Sequence, residues 1–321
     1  MDLGKLAVTL PLPFLDARAN IELAVRCERE WGYEAIWLAE TNGHESFALA
    51  AAIATATERV DIGTAIVPVY NRTPAVLAMA AATLAQLSND RFILGLGTSS
   101  HAIIEGWNGL DFHAPLGRTR ETVRVLRAAL AGEKTAFVGK TLRSEGFRLG
   151  ARPDKPVKIY LAGLREKMLE VAGALGEGLI INMMPVTAMP KILAAYRRGA
   201  TEAERDATDD EVVARFQLAI TDGSDAANDA ARNIVRMGFA GYVATPVYNK
   251  FLEWVGHEAV AKDVVAAFRA GDRKGTAAAM SDRFVDDMAI IGNPEQCRER
   301  LAAFHEAGVT TSVLAPLAAN L

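Results

Sequence analysis

The sequence predicts a single-domain (β/α)8 TIM barrel, an α/β fold in which eight parallel strands form a closed sheet surrounded by helices. Short β-rich runs alternate with longer helical patterns along the 321 residues, and this alternation is typical of parallel βαβ units. Eight strand-like runs follow one another without a flexible linker or an internal repeat. We therefore expect one barrel domain over residues 1–321, not two doubly wound domains.

The first half of the chain is predicted to form four strand–helix units. Pro11 and Pro13 stop the first strand, and Gly32 ends the first helix. The predicted strands cover 5–12, 35–40, 62–69 and 92–97, and the predicted helices cover 19–31, 47–58, 74–87 and 118–130. These units make half of a barrel.

A small insertion and an extra helical segment interrupt the second half. Residues 134–152 contain a hairpin pattern around Gly139, and residues 225–285 form a helix-rich block longer than one crossover needs. Asn293 followed by proline marks the start of the last helix. The remaining strands are predicted over 157–161, 179–183, 212–221 and 310–314, with helices over 166–175, 189–198 and 295–307.

Composition excludes several classes of partner and location. The 35 basic and 39 acidic residues give a net charge of −4 without a basic block, so neither nucleic acid nor anionic lipid is an expected partner. The longest uncharged run, 73–89, contains a proline, and Met1 leads directly into a strand-like segment, so neither a membrane span nor a signal peptide is expected. Cys27 and Cys297 lie far apart in predicted helices, which favours a cytoplasmic protein without disulfides.

The carboxyl ends of the strands, where the active site of such a barrel lies, carry few reactive side chains. The five histidines do not fall at metal-ligand spacing, and no strand end supplies a lysine for a Schiff base or two carboxylates for glycoside hydrolysis. Glu40 follows the second strand, and His44 and His101 lie in the loops after strands two and four. We therefore expect an organic cofactor, held by backbone and apolar walls, and no metal.

Three strand ends are candidates for holding that cofactor. Small residues in 62–68 would let a flat ring approach the backbone. The segment 95–100 opens a helix, but it lacks the third glycine and the acidic partner of a dinucleotide-binding loop. Residues 162–165 precede a helix whose first N–H groups, with Arg165 and Lys167, could hold a phosphate, although a solvated helix start is the alternative.

Several motifs together resemble a known family. They are Leu38-Ala-Glu40-Thr-Asn-Gly43, Leu94-Gly-Leu-Gly97, Glu105-Gly-Trp107-Asn-Gly109 and the stretch 115–121, in this order and spacing. The chain resembles luciferase-like oxidoreductases of the monooxygenase superfamily, in the branch that uses the deazaflavin coenzyme F420 instead of FMN. The likeness runs nearly end to end, and it implies a luciferase-like barrel that forms a homodimer.

Sequence pattern and resemblance together predict the residues that contact the cofactor. Glu40 and Thr41 stand where glucose-6-phosphate dehydrogenases of this branch carry an Asp-His pair, and Ser100 stands where they carry an acidic residue, so phosphosugar oxidation is not expected. The resemblance also implies that the Ala65–Ile66 peptide bond is cis. The predicted cofactor-binding residues are Glu40, Thr41, Thr64, Ala65, Ile66, Thr98, Ser99, Ser100, Ala162, Gly163, Leu164, Arg165 and Lys167.

The leading hypothesis is an oxidoreductase that transfers a hydride between F420 and a small organic substrate, namely a carbonyl, an alcohol or an activated alkene. Glu40, His44 and His101 are the predicted catalytic residues, because they could move a proton. One alternative is an FMN-dependent monooxygenase of the same superfamily. The other is a catalytically silent flavin- or deazaflavin-binding protein.

Overall fold

Twelve strands are found in residues 1–317, the part of the chain that this computed structural model describes. They are β1 (Lys5–Leu10), β2 (Ala35–Leu38), β3 (Asp61–Thr64), β4 (Val67–Pro68), β5 (Phe92–Gly97), β6 (Ala136–Val138), β7 (Arg143–Glu145), β8 (Lys158–Ala162), β9 (Gly178–Asn182), β10 (Glu211–Ile220), β11 (Ile290–Gly292) and β12 (Thr311–Pro316). Eight of these described strands pair in parallel in the order β12-β1-β2-β3-β5-β8-β9-β10, and β10 pairs again with β12. The ring of strands is closed, and the predicted (β/α)8 barrel is confirmed.

Helices cover the outside of the barrel and make up the late helical segment. They are α1 (Ala17–Arg29), α2 (Ser46–Ala56), α3 (Pro74–Leu87), α4 (Pro115–Leu130), α5 (Glu166–Leu175), α6 (Met189–Glu202), α7 (Asp225–Val243), α8 (Pro246–Trp254), α9 (Glu258–Arg269), α10 (Arg273–Ala278), α11 (Asp282–Met288) and α12 (Pro294–Glu306). Side-chain caps fix several helix starts: the Asp16 carboxylate accepts the Ala19 N–H at 2.8 Å, and Asn293 forms a capping box with Gln296.

The third barrel strand differs from the continuous run predicted over 62–69. It is divided into β3 and β4, and the Ala65–Ile66 peptide between them is cis, as the resemblance implied. The Thr64 hydroxyl donates to the Gly95 carbonyl at 2.8 Å and accepts the Gly95 N–H at 2.9 Å. A side chain thus links β3 to β5 at the end of β3, before backbone pairing resumes between β4 and β5.

The insertion and the late helical segment are both present. Strands β6 and β7 form an antiparallel hairpin, and the carboxylate of Glu121 on α4 accepts the backbone N–H groups of residues 140–142 in its turn. Helices α7 to α11 lie between β10 and β11 in the chain. The short strand β11, which the sequence analysis missed, pairs with the end of β10. That the whole chain is one domain stays a prediction.

Two apolar clusters form the core. One lies between the strands and the helices, and the other fills the inside of the barrel around the stacked rings of Trp37 and Tyr160, whose centroids are 5.8 Å apart. The inner cluster consists of Ala7, Ala35, Trp37, Ile93, Tyr160, Ile180, Val213 and Val313. Because side chains alternate along a strand, residues two or four positions after a member of the inner cluster also point inwards, nearer the carboxyl end of the barrel.

Candidate active site

The carboxyl ends of the barrel strands form the candidate site. The inward-pointing residues there, which we call the barrel mouth, include Thr9, Gly97, Ala162, Asn182, Arg215 and Ala315. Three strands therefore contribute very small residues, whereas the neighbouring strands β9 and β10 contribute Asn182 and Arg215. The rim of the barrel mouth is therefore lined by small residues where Gly97, Ala162 and Ala315 lie, and it is polar where Asn182 and Arg215 lie.

The floor of the barrel mouth suits a flat organic ring. Ala65, Ile66 and Ala162 pack on the inner apolar cluster and remain partly exposed. An added Cβ on Gly97 would lie 2.8 Å from Cγ1 and 3.0 Å from Cδ1 of Ile66, so only glycine leaves Ile66 in place here. Thr64, also predicted to contact the cofactor, is fully buried, and its hydroxyl is used within the sheet. The apolar floor is of the kind that binds ring-shaped cofactors.

A cavity of about 390 Å³ opens at the ends of β2 and β4. Its wall consists of Glu40, Thr41, Gly43, His44, Glu45, Pro68, Asn71, Arg72, Ile103, Trp107 and Asn108. The structure therefore brings together two of the predicted catalytic residues, Glu40 and His44, with the predicted cofactor-binding residue Thr41.

Glu40 is held by a two-pronged ion pair with Arg72. Nη1 and Nη2 of Arg72 donate to Oε1 and Oε2 of Glu40 at 2.7 and 2.8 Å, and the Ser46 N–H donates to Oε2 at 3.2 Å. Arg72 also pairs with Glu45 and lies over the ring of Phe47. Burial alone would lower the pKa of Arg72, but the two carboxylates outweigh it and raise that pKa. Both oxygens of Glu40 are therefore already engaged.

The two candidate histidines have different surroundings. Nε2 of His44 donates to the Leu15 carbonyl at 3.3 Å, so in the neutral ring Nδ1 is an acceptor. His101 is exposed, its Nδ1 lies 3.3 Å from Glu105 Oε2, and its ring meets the ring of Phe112 edge-on. His101 is not part of the described cavity wall.

The hydroxyl-bearing segment after β5 lies beside the mouth. Ser99 has a left-handed backbone with φ of 61°, and the Ser100 carbonyl accepts the Ile104 N–H at 2.9 Å. A short π-helix, Ala102–Trp107, follows. Thr98, Ser99 and Ser100 are partly buried and do not line the described cavity.

The predicted phosphate loop, 162–165, connects β8 to α5. Ala162 faces the barrel mouth, and Gly163 is buried. Leu164 packs on the core, while Arg165 is exposed at the start of α5 and makes no capping hydrogen bond through its side chain. Lys167 is exposed and paired with a glutamate of its own helix at 3.0 Å. The Met168 N–H already donates to the Arg165 carbonyl at 2.9 Å, so the N–H groups that could hold a phosphate are those of Glu166 and Lys167.

Sequence reasoning missed three residues of this end of the barrel. Arg72 and Asn71 lie after β4, and Oδ1 of Asn71 is buried without a hydrogen-bond partner in the described part of the chain. Arg215 is the third, and a signal for it existed. In the strand 212–221, polar Arg215 occupies the same inward phase as apolar Val213.

Two classes of feature are not found among residues 1–317. No group of three or more His, Cys, Asp or Glu side chains there is arranged to hold a metal ion. No helix in the same residues has the length and apolar character needed to cross a membrane.

Comparisons with known proteins place these features in a family. The sequence model of the luciferase-like monooxygenase family matches residues 5–311. A Mycobacterium tuberculosis protein named as a coenzyme F420-dependent oxidoreductase is 30% identical over 320 residues, covering 92% of this chain and 90% of the relative. The 5,10-methylenetetrahydromethanopterin reductase of Archaeoglobus fulgidus is 27% identical over 295 residues, covering 92% and 88%.

Among solved structures, the F420-dependent tetrahydromethanopterin reductase from Methanopyrus kandleri superposes with a TM-score of 0.82 at 21% identity. The match covers 98% of this chain and 93% of that one. This likeness concerns the fold, and the family follows from the sequence matches. The chain belongs to the luciferase-like monooxygenase family.

Proposed function

We propose that this chain transfers a hydride between coenzyme F420 and a small organic substrate at the barrel mouth. The chain is an F420-dependent oxidoreductase, like the relatives to which it is similar over almost its whole length. The observation that carries the proposal is the apolar floor of Ile66, Gly97 and Ala162 beside a cavity whose carboxylates are already paired with Arg72. Such a site needs a cofactor to supply reactivity.

The residues present fit a planar cofactor with a phosphate-bearing tail. Ala65, Ile66, Gly97 and Ala162 would support the ring, because small side chains let it approach the floor closely. The first turn of α5 would hold the phosphate through backbone N–H groups, with Arg165 nearby. When bound, the deazaflavin ring supplies a carbon atom that accepts or gives up a hydride.

The chain's own residues would move the proton that accompanies oxidation or reduction at a substrate oxygen. His44 lines the cavity, and its Nδ1 can accept a proton while Nε2 stays bonded to the Leu15 carbonyl. Glu40 would hold Arg72 in the cavity wall and would not move the proton itself, since both of its oxygens accept hydrogen bonds from that side chain and Oε2 also accepts the Ser46 N–H. We therefore assign proton transfer to His44. We do not assign it to His101, which is exposed and lies outside the described cavity wall.

Fluorescence titration of the purified protein with F420 and with FMN tests the cofactor. We expect F420 to bind at least about tenfold more tightly than FMN, a difference of ~1.4 kcal/mol. Gly97→Leu should abolish F420 binding by filling the floor, whereas Gly238→Leu, on α7 with open space around it, should bind normally. Tight FMN binding without F420 binding would overturn the proposal in favour of an FMN-dependent monooxygenase. F420 binding without any turnover of carbonyl compounds, alcohols or activated alkenes would favour the binding protein.

A homodimer remains part of the proposal. Helix α3 exposes the apolar side chains of Val76, Met79 and Leu87, and the three-residue spacing of Val76 and Met79 places these two on one side of the helix. We expect light scattering at micromolar concentration to give twice the 34.4 kDa mass of the chain, and a monomer would contradict this part.

A further inference from the structure

We propose that Arg215, Asn182 and Tyr248 form an oxyanion-binding subsite in the barrel mouth that takes a carboxylate of the substrate. The inference rests on the proposed function, since it names the substrate class of that site. It assigns a role to a charged residue that the hydride-transfer scheme leaves unused.

Strand register places Arg215 in the barrel mouth. Val213, two residues earlier on β10, belongs to the inner apolar cluster, so Arg215 points inwards one layer nearer the carboxyl end. Arg215 lies directly opposite Asn182 on β9, which follows inner-cluster Ile180 by the same two positions. The two side chains are therefore neighbours on one face of the sheet.

Arg215 has no charge partner. Its Nε is buried without a hydrogen-bond partner, and among residues 1–317 no hydrogen bond, ion pair or aromatic ring contact to its guanidinium is found. Burial lowers the pKa of Arg215, yet a guanidinium keeps its proton at neutral pH. Arg215 is only partly exposed, so its cation is partly removed from water without a carboxylate to compensate it, and an anion arriving there is favoured.

Tyr248 supplies a second donor beside this cation. Nδ2 of Asn182 donates to the Tyr248 hydroxyl at 3.1 Å, which leaves the phenolic hydrogen to be donated elsewhere. Burial raises the pKa of Tyr248 to about 12, so the phenol stays protonated at neutral pH. The ring of Tyr242 packs edge-on against Tyr248 at 5.4 Å and helps to fix it.

The donor set suits a carboxylate. The planar guanidinium fork matches the two oxygens of a carboxylate, and a phenol adds a third donor to the same group. The oxyanion has two chemical sources, a carboxylate of the substrate or an acidic group of the cofactor. We assign it to the substrate, because the first turn of α5 already provides a separate place for the cofactor phosphate.

The test uses thermal unfolding of the F420-loaded protein with sodium benzoate and inorganic phosphate as probes. Benzoate should raise the Tm of the wild type by mass action, leave Arg215→Met unchanged, and raise that of Arg215→Lys by an intermediate amount. Arg29→Met removes an exposed arginine from the end of α1 and should respond like the wild type. Without a probe, Arg215→Met should melt no earlier than the wild type, because it loses no partner.

A second measurement separates the two sources. Fluorescence titration of Arg215→Met with F420 should give a Kd within about twofold of the wild type. A loss of affinity of about tenfold or more would show that the cofactor supplies the oxyanion and would overturn the substrate assignment.

Three results would each overturn the subsite. They are equal benzoate protection of Arg215→Met and wild type, an absence of protection in the wild type, and a lower Tm of Arg215→Met without probe. Protection by phosphate alone would replace the carboxylate assignment. Failure of the wild type to bind F420 would instead sink the proposed function, a separate readout from benzoate protection.

Discussion

Arg72 and Arg215 lie at the same end of the barrel, but their surroundings are opposite. Arg72, after β4, lies between two carboxylates, and its side chain and that of Glu40 are only 16% and 13% exposed. Arg215, on β10 across the barrel, makes no ion pair within residues 1–317, and its Nε has no hydrogen-bond partner there. A charge whose partners are built into the fold is committed to structure, whereas a charge without partners is available to a ligand. Partners, more than location, therefore decide which arginine serves binding.

The largest expected effect that tests this contrast comes from Arg72→Met. Removing the cation leaves the partly buried carboxylate of Glu40 without compensation, next to the exposed carboxylate of Glu45, which should lower the free energy of unfolding by about 3 kcal/mol. Urea unfolding at neutral pH measures this loss. The matched control is Arg215→Met, which should lose nothing. Similar losses in both variants would show that the two arginines are equally structural.

An intermediate effect is expected where a charge is satisfied by neutral groups alone. The Thr141 hydroxyl donates to Glu121 at 2.6 Å, and the backbone N–H groups of residues 140–142 donate at 2.8 to 3.0 Å. Burial alone would raise the pKa of Glu121, but these hydrogen bonds outweigh it and lower the pKa to about 2. Glu121→Gln should therefore cost about 2 kcal/mol at neutral pH.

The pH dependence of that cost has a definite sign. A carboxylate whose pKa is lower in the folded state stabilises above its ordinary pKa of 4.5, and this stabilisation is lost as the pH falls towards about 2. Urea midpoints of the wild type and Glu121→Gln should converge over this interval. Glu202→Gln, at the exposed end of α6, should show no such convergence. A difference that persists unchanged to pH 2 would contradict the explanation.

The sequence predicts the barrel well because its signals are local. Helix 74–87, strand 92–97 and helix 166–175 are found with the predicted bounds, since capping residues and apolar runs mark their ends. The first strand ends at Leu10, two residues early, because Pro11 has no N–H to donate. The three-residue strand β11 is too short for any periodicity, and nothing within 62–69 marked the division between β3 and β4 except the resemblance.

The site was less predictable, because its partners come from different strands. Glu40 was found as a lone carboxylate at a strand end, but its pairing with Arg72 joins residues 32 positions apart. The contact between Asn182 and Tyr248 spans 66 positions and depends on where α8 packs. Arg215 was the exception, because its inward phase was readable from the strand itself. What sequence could not show was the absence of a partner.

The smallest expected effect comes from Tyr248→Phe. This variant tests whether the Arg215 cation or the Tyr248 phenol carries ligand binding in the oxyanion-binding subsite. The substitution leaves Asn182 Nδ2 without its acceptor, so the free energy of unfolding should fall by about 1 kcal/mol, against less than ~0.5 kcal/mol for Tyr242→Phe on the exposed neighbouring ring. Benzoate should still raise the Tm of Tyr248→Phe, at several-fold higher concentration than in the wild type, because Arg215 keeps its charge and loses only a helper donor. Complete loss of protection, equal to that in Arg215→Met, would mean that the neutral hydroxyl is indispensable. In that case an arginine without a charge partner would not by itself mark a binding site. The difference between Arg215 and Arg72 would then lie in the hydrogen-bonding groups around each arginine, not in its charge partners.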